Sequence, residues 1–379
     1  MINPFIFPNL GIPASCNTVS VSIIDTTLAI AGIPGSAFYL PEIQGNKYIA
    51  APSWSFLIQH PKLERNLVFD LGVRPDYENL PPAILDQIKS GNSGEFSVEK
   101  GVREILEDGG FNASNLEAAI WSHWHFDHVG DPSTFDPHTA LIVGPGFKEK
   151  IAPGYPANPN STFLEADYAG RELREISFEG EGAVKIGQFR ALDYFGDGSY
   201  FLVDMPGHAV GHIGGLARVT SNPDSFIFMG GDSCHHLGEL RPSRYHPLPQ
   251  NISPNPFTSF TAPKTPCPGA LFQKILRDGN RTQPFYGVSD VGVHYDVKAT
   301  ADTIEKLQAA DRDNILVVVA HDQTLTGVVD FYPKTANRFL EKGWTKKLRW
   351  LFLRDFANAT GYEGVVEGRS PLFEKWNNS

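Results

Sequence analysis

Residues 122–131 read SHWHFDHVGD, and four of these side chains, within six consecutive residues, can bind a metal ion. The stretch follows the apolar run 118–121, which is typical of a buried strand, and it ends at a glycine before the turn at Pro132. An isolated HxH pair is as often packed or solvated as it is a metal ligand. Four such groups at the end of a strand have no comparable structural explanation, so the stretch predicts a metal site.

The spacing within this motif indicates how two ions would be bound. His123 and His125 alternate, so on an extended chain both imidazoles leave the same face and can bind one cation. Asp127 and His128 follow the strand, where a turn can direct them to a second cation close by. Nitrogen and carboxylate ligands without thiolates favour zinc, and after zinc manganese or iron. We therefore predict two divalent metal ions, with Zn²⁺ favoured over Mn²⁺ and Fe²⁺.

Three later apolar runs also end in side chains that can bind metal. These are His208 after residues 200–203, Asp232 after residues 226–229 and His321 after residues 315–320. Each follows a strand-like run at or near a turn marked by glycine or aspartate. Because strands hold the loops at their tips rigidly, we expect these side chains to meet the first motif at one edge of the fold.

The order of these motifs resembles that of the metallo-β-lactamase superfamily over about residues 19–330. The resemblance implies an αββα sandwich of two mixed β-sheets flanked by helices. It also implies that His123, His125 and His208 bind one metal, that Asp127, His128 and His321 bind the second, and that Asp232 bridges the two. In the same family an aspartate at the position of Asp70 accepts a hydrogen bond behind the ligands, although an aspartate before Gly72 also suits a simple turn.

Two departures from the family pattern narrow the implied substrate. The true β-lactamases lack a bridging aspartate, so the presence of Asp232 disfavours antibiotic hydrolysis. The quorum-quenching lactonases are the most similar branch, supported by residues 53–58 and 69–72, but they carry a tyrosine where this chain has His235. Fungal members that open lactam rings are similar in length and motif order. The resemblance therefore implies a lactone or a lactam as substrate.

Two such cations favour hydrolysis, because they deprotonate a bridging water and polarise a carbonyl. A serine or cysteine nucleophile is then not needed. We predict a dinuclear hydrolase that opens a small cyclic ester or amide by attack of a metal-bridging hydroxide. Asp127, Asp232 and His235 are the predicted catalytic residues, with His235 donating to the developing oxyanion in place of the family's tyrosine. A thioesterase is the alternative. A persulfide dioxygenase with one iron is less favoured, because His128 and His321 imply a second metal.

Composition and charge restrict the partners. The chain has 379 residues, of which 41% are hydrophobic and 20% charged, as expected of a soluble globular protein. The net charge of −11 disfavours nucleic acid and anionic membranes as partners. Three scattered cysteines argue against a disulfide framework, and no apolar run is long enough to cross a bilayer. We expect a cytoplasmic enzyme that acts on a small cyclic molecule.

The chain divides into three predicted parts. Residues 1–18 form an N-terminal arm against the body or against a partner in a homodimer, residues 19–330 form the metallo-β-lactamase-like domain, and residues 331–379 form a C-terminal helical extension on that domain. Within the domain, residues 242–268 contain eight prolines and are expected to form a wall of the pocket rather than a surface linker. His236, Phe285 and Tyr286 are the predicted substrate-binding residues, and His294 is a further candidate.

Hydrophobic periodicity predicts the regular elements around these motifs. We expect a strand over 19–25, a hairpin with strands at 55–58 and 66–69, and helices over 97–109, 296–310 and 339–356. Two halves, each with strands and then a helix, predict two sheets packed face to face with helices outside.

Overall fold

Two six-stranded β-sheets form the centre of the fold in the computed structural model, which describes residues 6–90, 94–258, 260 and 265–377. The strands are β1 (Ser20–Asp25), β2 (Ala29–Pro34), β3 (Tyr39–Leu40), β4 (Tyr48–Ala51), β5 (Trp54–His60), β6 (Arg65–Phe69), β7 (Glu95–Ser97), β8 (Ala118–Ile120), β9 (Ala140–Val143), β10 (Leu173–Glu175), β11 (Ala183–Ile186), β12 (Phe189–Asp193), β13 (Tyr200–Asp204), β14 (Ile213–Ser221), β15 (Asp224–Met229), β16 (Asn251–Ile252), β17 (Cys267–Pro268), β18 (Gly287–Val288) and β19 (Ile315–Val318). The α-helices are α1 (Pro82–Lys89), α2 (Val102–Asp108), α3 (Phe126–Val129), α4 (Phe147–Lys150), α5 (Val297–Ala310), α6 (Trp344–Leu348), α7 (Ala357–Thr360) and α8 (Pro371–Asn377).

Both central sheets are mixed. The first has the order β1-β5-β6-β8-β9-β10, with antiparallel pairs up to β6 and parallel pairs from β6 to β10. The second has the order β11-β12-β13-β14-β15-β19 and is antiparallel except for the last pair. Strands β13, β15 and β19 therefore run in the same direction, and their carboxyl ends meet at one edge of the second sheet.

Alternation along the strands explains why the two sheets pack against each other. In β13, Tyr200 and Leu202 point into the core between the sheets, whereas Phe201 and Val203 point to the opposite face and pack with Leu307 of α5. Helix α2 covers the outer face of the first sheet in the same way. Helices thus lie outside both sheets, and the predicted αββα sandwich is confirmed.

The predicted hairpin and the helix before His321 are confirmed, but the first predicted helix is too long. Strands β5 and β6 pair antiparallel, and α5 begins after Asp296, whose side chain accepts a hydrogen bond from the N–H of Ala299. Ser97, which we predicted to cap a helix over 97–109, instead ends β7 and pairs with Ala29. Pairing with β2 outweighs the local helical periodicity there, so α2 begins only at Val102.

The C-terminal segment packs on the body, but not as the single helix predicted over 339–356. Helix α6 ends at Leu348, and a separate 3₁₀ segment, Leu351–Phe356, follows after Trp350. The non-helical conformation of Trp350 separates them. Leu351 and Phe352 are nevertheless buried in the main core clusters, because both short segments turn their apolar side chains inward.

The described part of the N-terminal arm lies against the second sheet. Leu10 is buried and its carbonyl accepts a hydrogen bond from the N–H of Gly187, while the buried guanidinium of Arg218 donates to the carbonyl of Pro13. Pairing of the arm with a partner subunit stays a prediction. The described part of the chain contains no helix with the length and hydrophobicity needed to span a bilayer.

A buried ion pair joins the end of α5 to the loop after β15 and makes a testable contribution to stability. Arg241 donates two hydrogen bonds of 2.7 Å to the carboxylate of Asp311, and both side chains are almost fully buried. Burial alone would raise the pKa of Asp311, but the charge and hydrogen bonds of Arg241 outweigh it and lower the pKa to about 2. Because the pKa is lower in the folded state than in the unfolded state, the stabilisation is present above about pH 4 and is lost as the pH falls through about 2.

We expect Asp311→Ala to lower the free energy of unfolding of the metal-free protein by about 3–5 kcal/mol at pH 7, because it leaves the charged guanidinium of Arg241 buried without its carboxylate. Denaturant unfolding followed by circular dichroism measures the change, and the difference between variant and wild type should narrow below pH 4. Asp302→Ala, which breaks an exposed pair with Lys298, is the control and should leave stability nearly unchanged. An equal decrease in the free energy of unfolding of the two variants would contradict the prediction.

Candidate metal centre

The HxHxDH motif lies in the loop after β8 and in α3, rather than on the strand. β8 ends at Ile120, and His125 directly precedes α3, which carries the aspartate and the last histidine of the motif. Gly130 ends this helical turn with φ at +54°, and a Cβ there would lie 2.4 Å from the Cβ of Leu71. Only glycine fits such a conformation and contact, so the turn after the motif is determined locally.

One group of candidate ligands consists of His123, His125, His208 and Asp232, whose ligand atoms all lie within 4.8 Å of one another. Nε2 of His208 is 2.9 Å from Nδ1 of His125 and 3.4 Å from Oδ2 of Asp232. Nε2 of His123 is 3.7 Å from the same carboxylate oxygen. Three imidazoles and one carboxylate thus surround a single point.

The second group consists of Asp127, His128 and His321, also within 4.8 Å of one another. Nε2 of His128 and Nε2 of His321 lie 3.7 Å and 3.4 Å from Oδ2 of Asp127. The same two nitrogens lie 3.1 Å and 3.3 Å from Oδ1 of Asp232. The carboxylate of Asp232 therefore directs one oxygen to each group.

The chemistry of these atoms fits divalent cations. Nε2 of His123, Nε2 of His128 and Oδ1 of Asp232 are buried and have no hydrogen-bond partner among the described residues. Buried lone pairs that face one another without a donor are unfavourable, and a cation among them removes the penalty. Imidazole nitrogens and carboxylate oxygens are also the donors that zinc accepts.

Hydrogen bonds behind the histidines orient their rings. Nδ1 of His128 donates to Oδ2 of Asp70 at 2.9 Å, and Nδ1 of His321 donates to the carbonyl of Pro52 at 2.8 Å. Nδ1 of His123 lies 3.1 Å from Oγ of Ser122, which itself donates to Asp70. In the neutral form of each ring Nδ1 therefore carries the proton, and the Nε2 lone pair faces the centre. Asp70 also occupies a turn, with φ at +58°, so both explanations of this residue apply.

Comparison with known proteins identifies the family of this chain. Residues 49–230 match the Lactamase_B family, described as the metallo-beta-lactamase superfamily. The gamma-lactamase FDB1 of Fusarium pseudograminearum is 46% identical over 355 residues, which are 92% of this chain and 85% of that protein. This chain belongs to the metallo-β-lactamase superfamily. It is accordingly a hydrolase, and its histidine and aspartate cluster is suited to metal binding.

Two further relatives extend the comparison across fungi. The metallo-hydrolase mfmC of Annulohypoxylon moriforme is 43% identical over 357 residues, which are 93% of this chain and 91% of that protein. The cytochrome P450 monooxygenase mpaDE of Penicillium roqueforti is 42% identical over 363 residues, which are 94% of this chain. The chain spans only 39% of that longer protein.

The pKa shifts within the first group of ligands suit metal binding. Burial lowers the pKa of His123, His125 and His208, in the case of His125 to about 4. Burial would raise the pKa of Asp232, but the charges of His128 and His321 outweigh it and hold this pKa well below the usual range. The facing carboxylates in turn outweigh burial and raise the pKa of His128 and His321, so each of these two rings releases its Nε2 proton when it binds a metal ion. Neutral imidazoles and an ionised carboxylate are the forms that bind metal, so the first group is ready to do so at neutral pH.

His212 lies behind Asp232 and belongs to neither group. Its Nδ1 donates to the carbonyl of Met205 at 2.8 Å, so its Nε2 is free to accept, and it accepts from the N–H of Asp232 at 3.0 Å. These two contacts give His212, which follows His208 by four residues, a structural role. His212 holds the backbone that carries Asp232.

A pocket of about 400 Å³ opens onto both groups. Its walls are mostly apolar and come from the hairpin of β2 and β4, from the loop after β2, from α1 and from the motif itself. They include Ile30, Ile33, Phe38, Ile49, Ile84, Trp124 and Phe126, and the floor includes His125, Asp127, Asp232, His235 and His321. The sequence analysis missed these apolar residues, because nothing in their local pattern separates a pocket wall from an ordinary core strand.

The described residues of the proline-rich stretch 242–268 do not line this pocket. Phe257 is buried and stacks on Tyr362 of the C-terminal segment, and Tyr245 stacks on Phe7 of the arm. The expectation of a pocket wall therefore has no support in the described part of the stretch, and residues 259 and 261–264 lie outside the described residues.

The predicted catalytic and substrate-binding residues occupy different places. His235 lies in the pocket, with Nε2 3.0 Å from Oδ2 of Asp232. His236 faces away from it, where its Nε2 lies 3.3 Å from Oδ2 of Asp355. Phe285 and Tyr286 are fully buried and pack on Phe356. Substrate contact by His236, Phe285 and Tyr286 stays a prediction that their positions do not support.

Proposed function

We propose that this protein is a dinuclear metal-dependent hydrolase that opens a small cyclic amide, with a cyclic ester as the second substrate class. The observation that carries the proposal is the position of Asp232, whose two carboxylate oxygens face two separate groups of candidate ligands. The identity of 46% to a protein named as a gamma-lactamase favours the amide over the ester.

In this proposal each ion has its own ligands and one shared ligand. His123, His125 and His208 would hold the first ion, Asp127, His128 and His321 would hold the second, and Asp232 would be shared by both. Zinc is favoured, because the donors are imidazole nitrogens and carboxylate oxygens. When bound, the two ions supply an acidified water as nucleophile and polarise the carbonyl of the substrate.

The pocket selects the substrate by shape and polarity. Its volume of about 400 Å³ is in the range of roughly 300–1,000 Å³ that small-molecule sites have. Isoleucines, Phe38 and Trp124 supply most of the wall, so the ring of the substrate is bound through apolar contact with water excluded. Such walls suit an uncharged cyclic substrate better than a phosphorylated or polar carrier group, which disfavours the thioesterase alternative.

His235 and Asp127 handle the charge and the proton of the reaction. Burial lowers the pKa of His235 to about 4, so at neutral pH the ring is neutral and has one N–H. This N–H is on Nε2, which lies 3.0 Å from Oδ2 of Asp232. We propose that it turns from Asp232 to the carbonyl oxygen of the substrate as negative charge develops there, because Asp232 would then be engaged by the ions. Asp127, at the pocket floor, accepts the proton of the attacking water and transfers it to the ring nitrogen as the C–N bond breaks. The product is the open-chain amino acid.

Metal analysis combined with a matched substrate series tests the proposal. We expect the purified protein to contain two ions per chain by mass spectrometry, and to lose activity after dialysis against a chelator and regain it with zinc. A γ-lactam should be hydrolysed faster than the matched γ-lactone, acyclic amide and thioester. One ion per chain, or full activity after complete metal removal, would contradict the dinuclear mechanism. Preference for the thioester would favour the alternative.

A further inference from the structure

The segment before α5 reaches behind His208. Nδ1 of His294 lies 3.2 Å from Nδ1 of His208, and Nε2 of His294 lies 2.9 Å from the carbonyl oxygen of Phe38. The two imidazoles meet at 75° with their centroids 5.3 Å apart. His294 is 9% exposed and His208 is 2% exposed, so water does not compete strongly for these hydrogen bonds.

The partners determine which nitrogen carries each proton. A carbonyl oxygen only accepts, so Nε2 of His294 must be the donor to Phe38. In a neutral imidazole the other nitrogen then has a lone pair, so Nδ1 of His294 accepts and Nδ1 of His208 donates. Nε2 of His208 is left with its lone pair, and this is the atom that lies 2.9 Å from His125 and 3.4 Å from Asp232.

The backbone of the His208 turn is held independently of the His294 ring. The N–H groups of Tyr295 and Asp296 donate to the carbonyls of His208 and Gly207, at 3.0 Å and 2.9 Å. Oγ1 of Thr303 donates to the carbonyl of Pro206 at 2.7 Å. Gly207 itself packs against α5, where a Cβ would lie 2.2 Å from the N of Thr300. Changing the His294 side chain therefore leaves the backbone of the turn in place and acts on His208 through its ring.

We propose that His294 is the positioning residue of His208: it fixes the tautomer and ring orientation that direct Nε2 of His208 to the metal ion. The inference rests on the proposed metal-binding role of His208 but not on the class of substrate. His128 has Asp70 in this role and His321 has the carbonyl of Pro52. His208 differs because its acceptor is a second imidazole, which is itself anchored to Phe38 in the pocket wall.

Two substitutions separate the hydrogen bond from the packing. His294→Phe keeps a flat ring but removes the acceptor. His294→Gln keeps both hydrogen bonds of the side chain: its amide oxygen can accept from His208, and its amide nitrogen can donate to the carbonyl of Phe38. His246→Phe is the control: His246 is half-buried and, like His294, donates to a backbone carbonyl, that of Asp311, but it belongs to neither ligand group.

The measurement is the affinity for Zn²⁺, determined by competition with a chelator of known affinity, with Co²⁺ absorption as a second probe of the ligand geometry. We expect His294→Phe to lower the affinity for one of the two ions by about 10- to 100-fold and to leave the affinity for the other unchanged. His294→Gln and His246→Phe should bind both ions within about threefold of wild type, and the metal-free melting temperatures of the two His294 variants should agree. If the phenylalanine prevents folding, His294→Ala gives the same comparison with glutamine.

Equal metal affinity in the phenylalanine and glutamine variants, with two ions in the wild type, would overturn this inference alone. It would also be overturned if His294→Phe lowered the affinity for both ions equally and had a lower metal-free melting temperature, because that result indicates a general structural role. A wild-type protein that binds no ion would overturn the proposed function and this inference together.

Discussion

Replacing Asp232 by alanine is expected to lower the rate of hydrolysis by at least about a thousand-fold and to release both metal ions. Its Oδ1 lies 3.1 Å from His128 and 3.3 Å from His321, while its Oδ2 lies 3.4 Å from His208. No other carboxylate faces both ligand groups among the described residues. The loss therefore removes a ligand from each ion at once, and no neighbour replaces it.

Metal content by mass spectrometry and turnover of the best cyclic substrate measure this effect. Asp204→Ala is a suitable control, because Asp204 ends β13 and pairs with the exposed Arg190 rather than with a candidate ligand. The control should keep two ions and nearly full activity. An Asp232→Ala protein that retains both ions with near wild-type affinity would show that this carboxylate does not join the two groups.

His235→Phe is expected to lower kcat by about a hundred- to a thousand-fold while both ions remain bound, because it removes one hydrogen-bond donor to the developing oxyanion. The phenylalanine keeps the packing of the ring, whose centroid lies 4.2 Å from that of Phe38. KM should change much less than kcat, since the donor acts mainly on charge that appears in the transition state.

Steady-state kinetics and metal analysis of the same sample distinguish the possible roles of His235. Its ligand atom lies within 4.8 Å of those of Asp232 and His321. Loss of one ion in His235→Phe would therefore make His235 a metal ligand rather than an oxyanion donor. An unchanged kcat would assign it to packing. His246→Phe, at a residue that does not line the pocket, controls for the general effect of replacing a histidine by phenylalanine.

Sequence patterns correctly predicted the secondary-structure elements that are determined by residues close together in the chain. Helix α5 follows from its periodicity and from the cap at Asp296, and the β5–β6 hairpin follows from two alternating runs around a turn. Local patterns failed where a distant strand competed for the same residues. Residues 95–97 pair with β2 instead of beginning a helix, and a single C-terminal helix is divided at Trp350.

The amino-acid sequence by itself determined the superfamily, the sandwich and the set of candidate metal ligands, because these depend on side-chain chemistry and on short spacings within HxHxDH and the strand tips. Only the tertiary structure decided what surrounds that set. The apolar wall comes from the hairpin at residues 29–51 and from α1, and the partner of His208 is a histidine 86 residues later in the chain. Such contacts arise from the way separate elements pack onto the sandwich. No local periodicity specifies them, since an isoleucine in a pocket wall and one in the core have the same pattern.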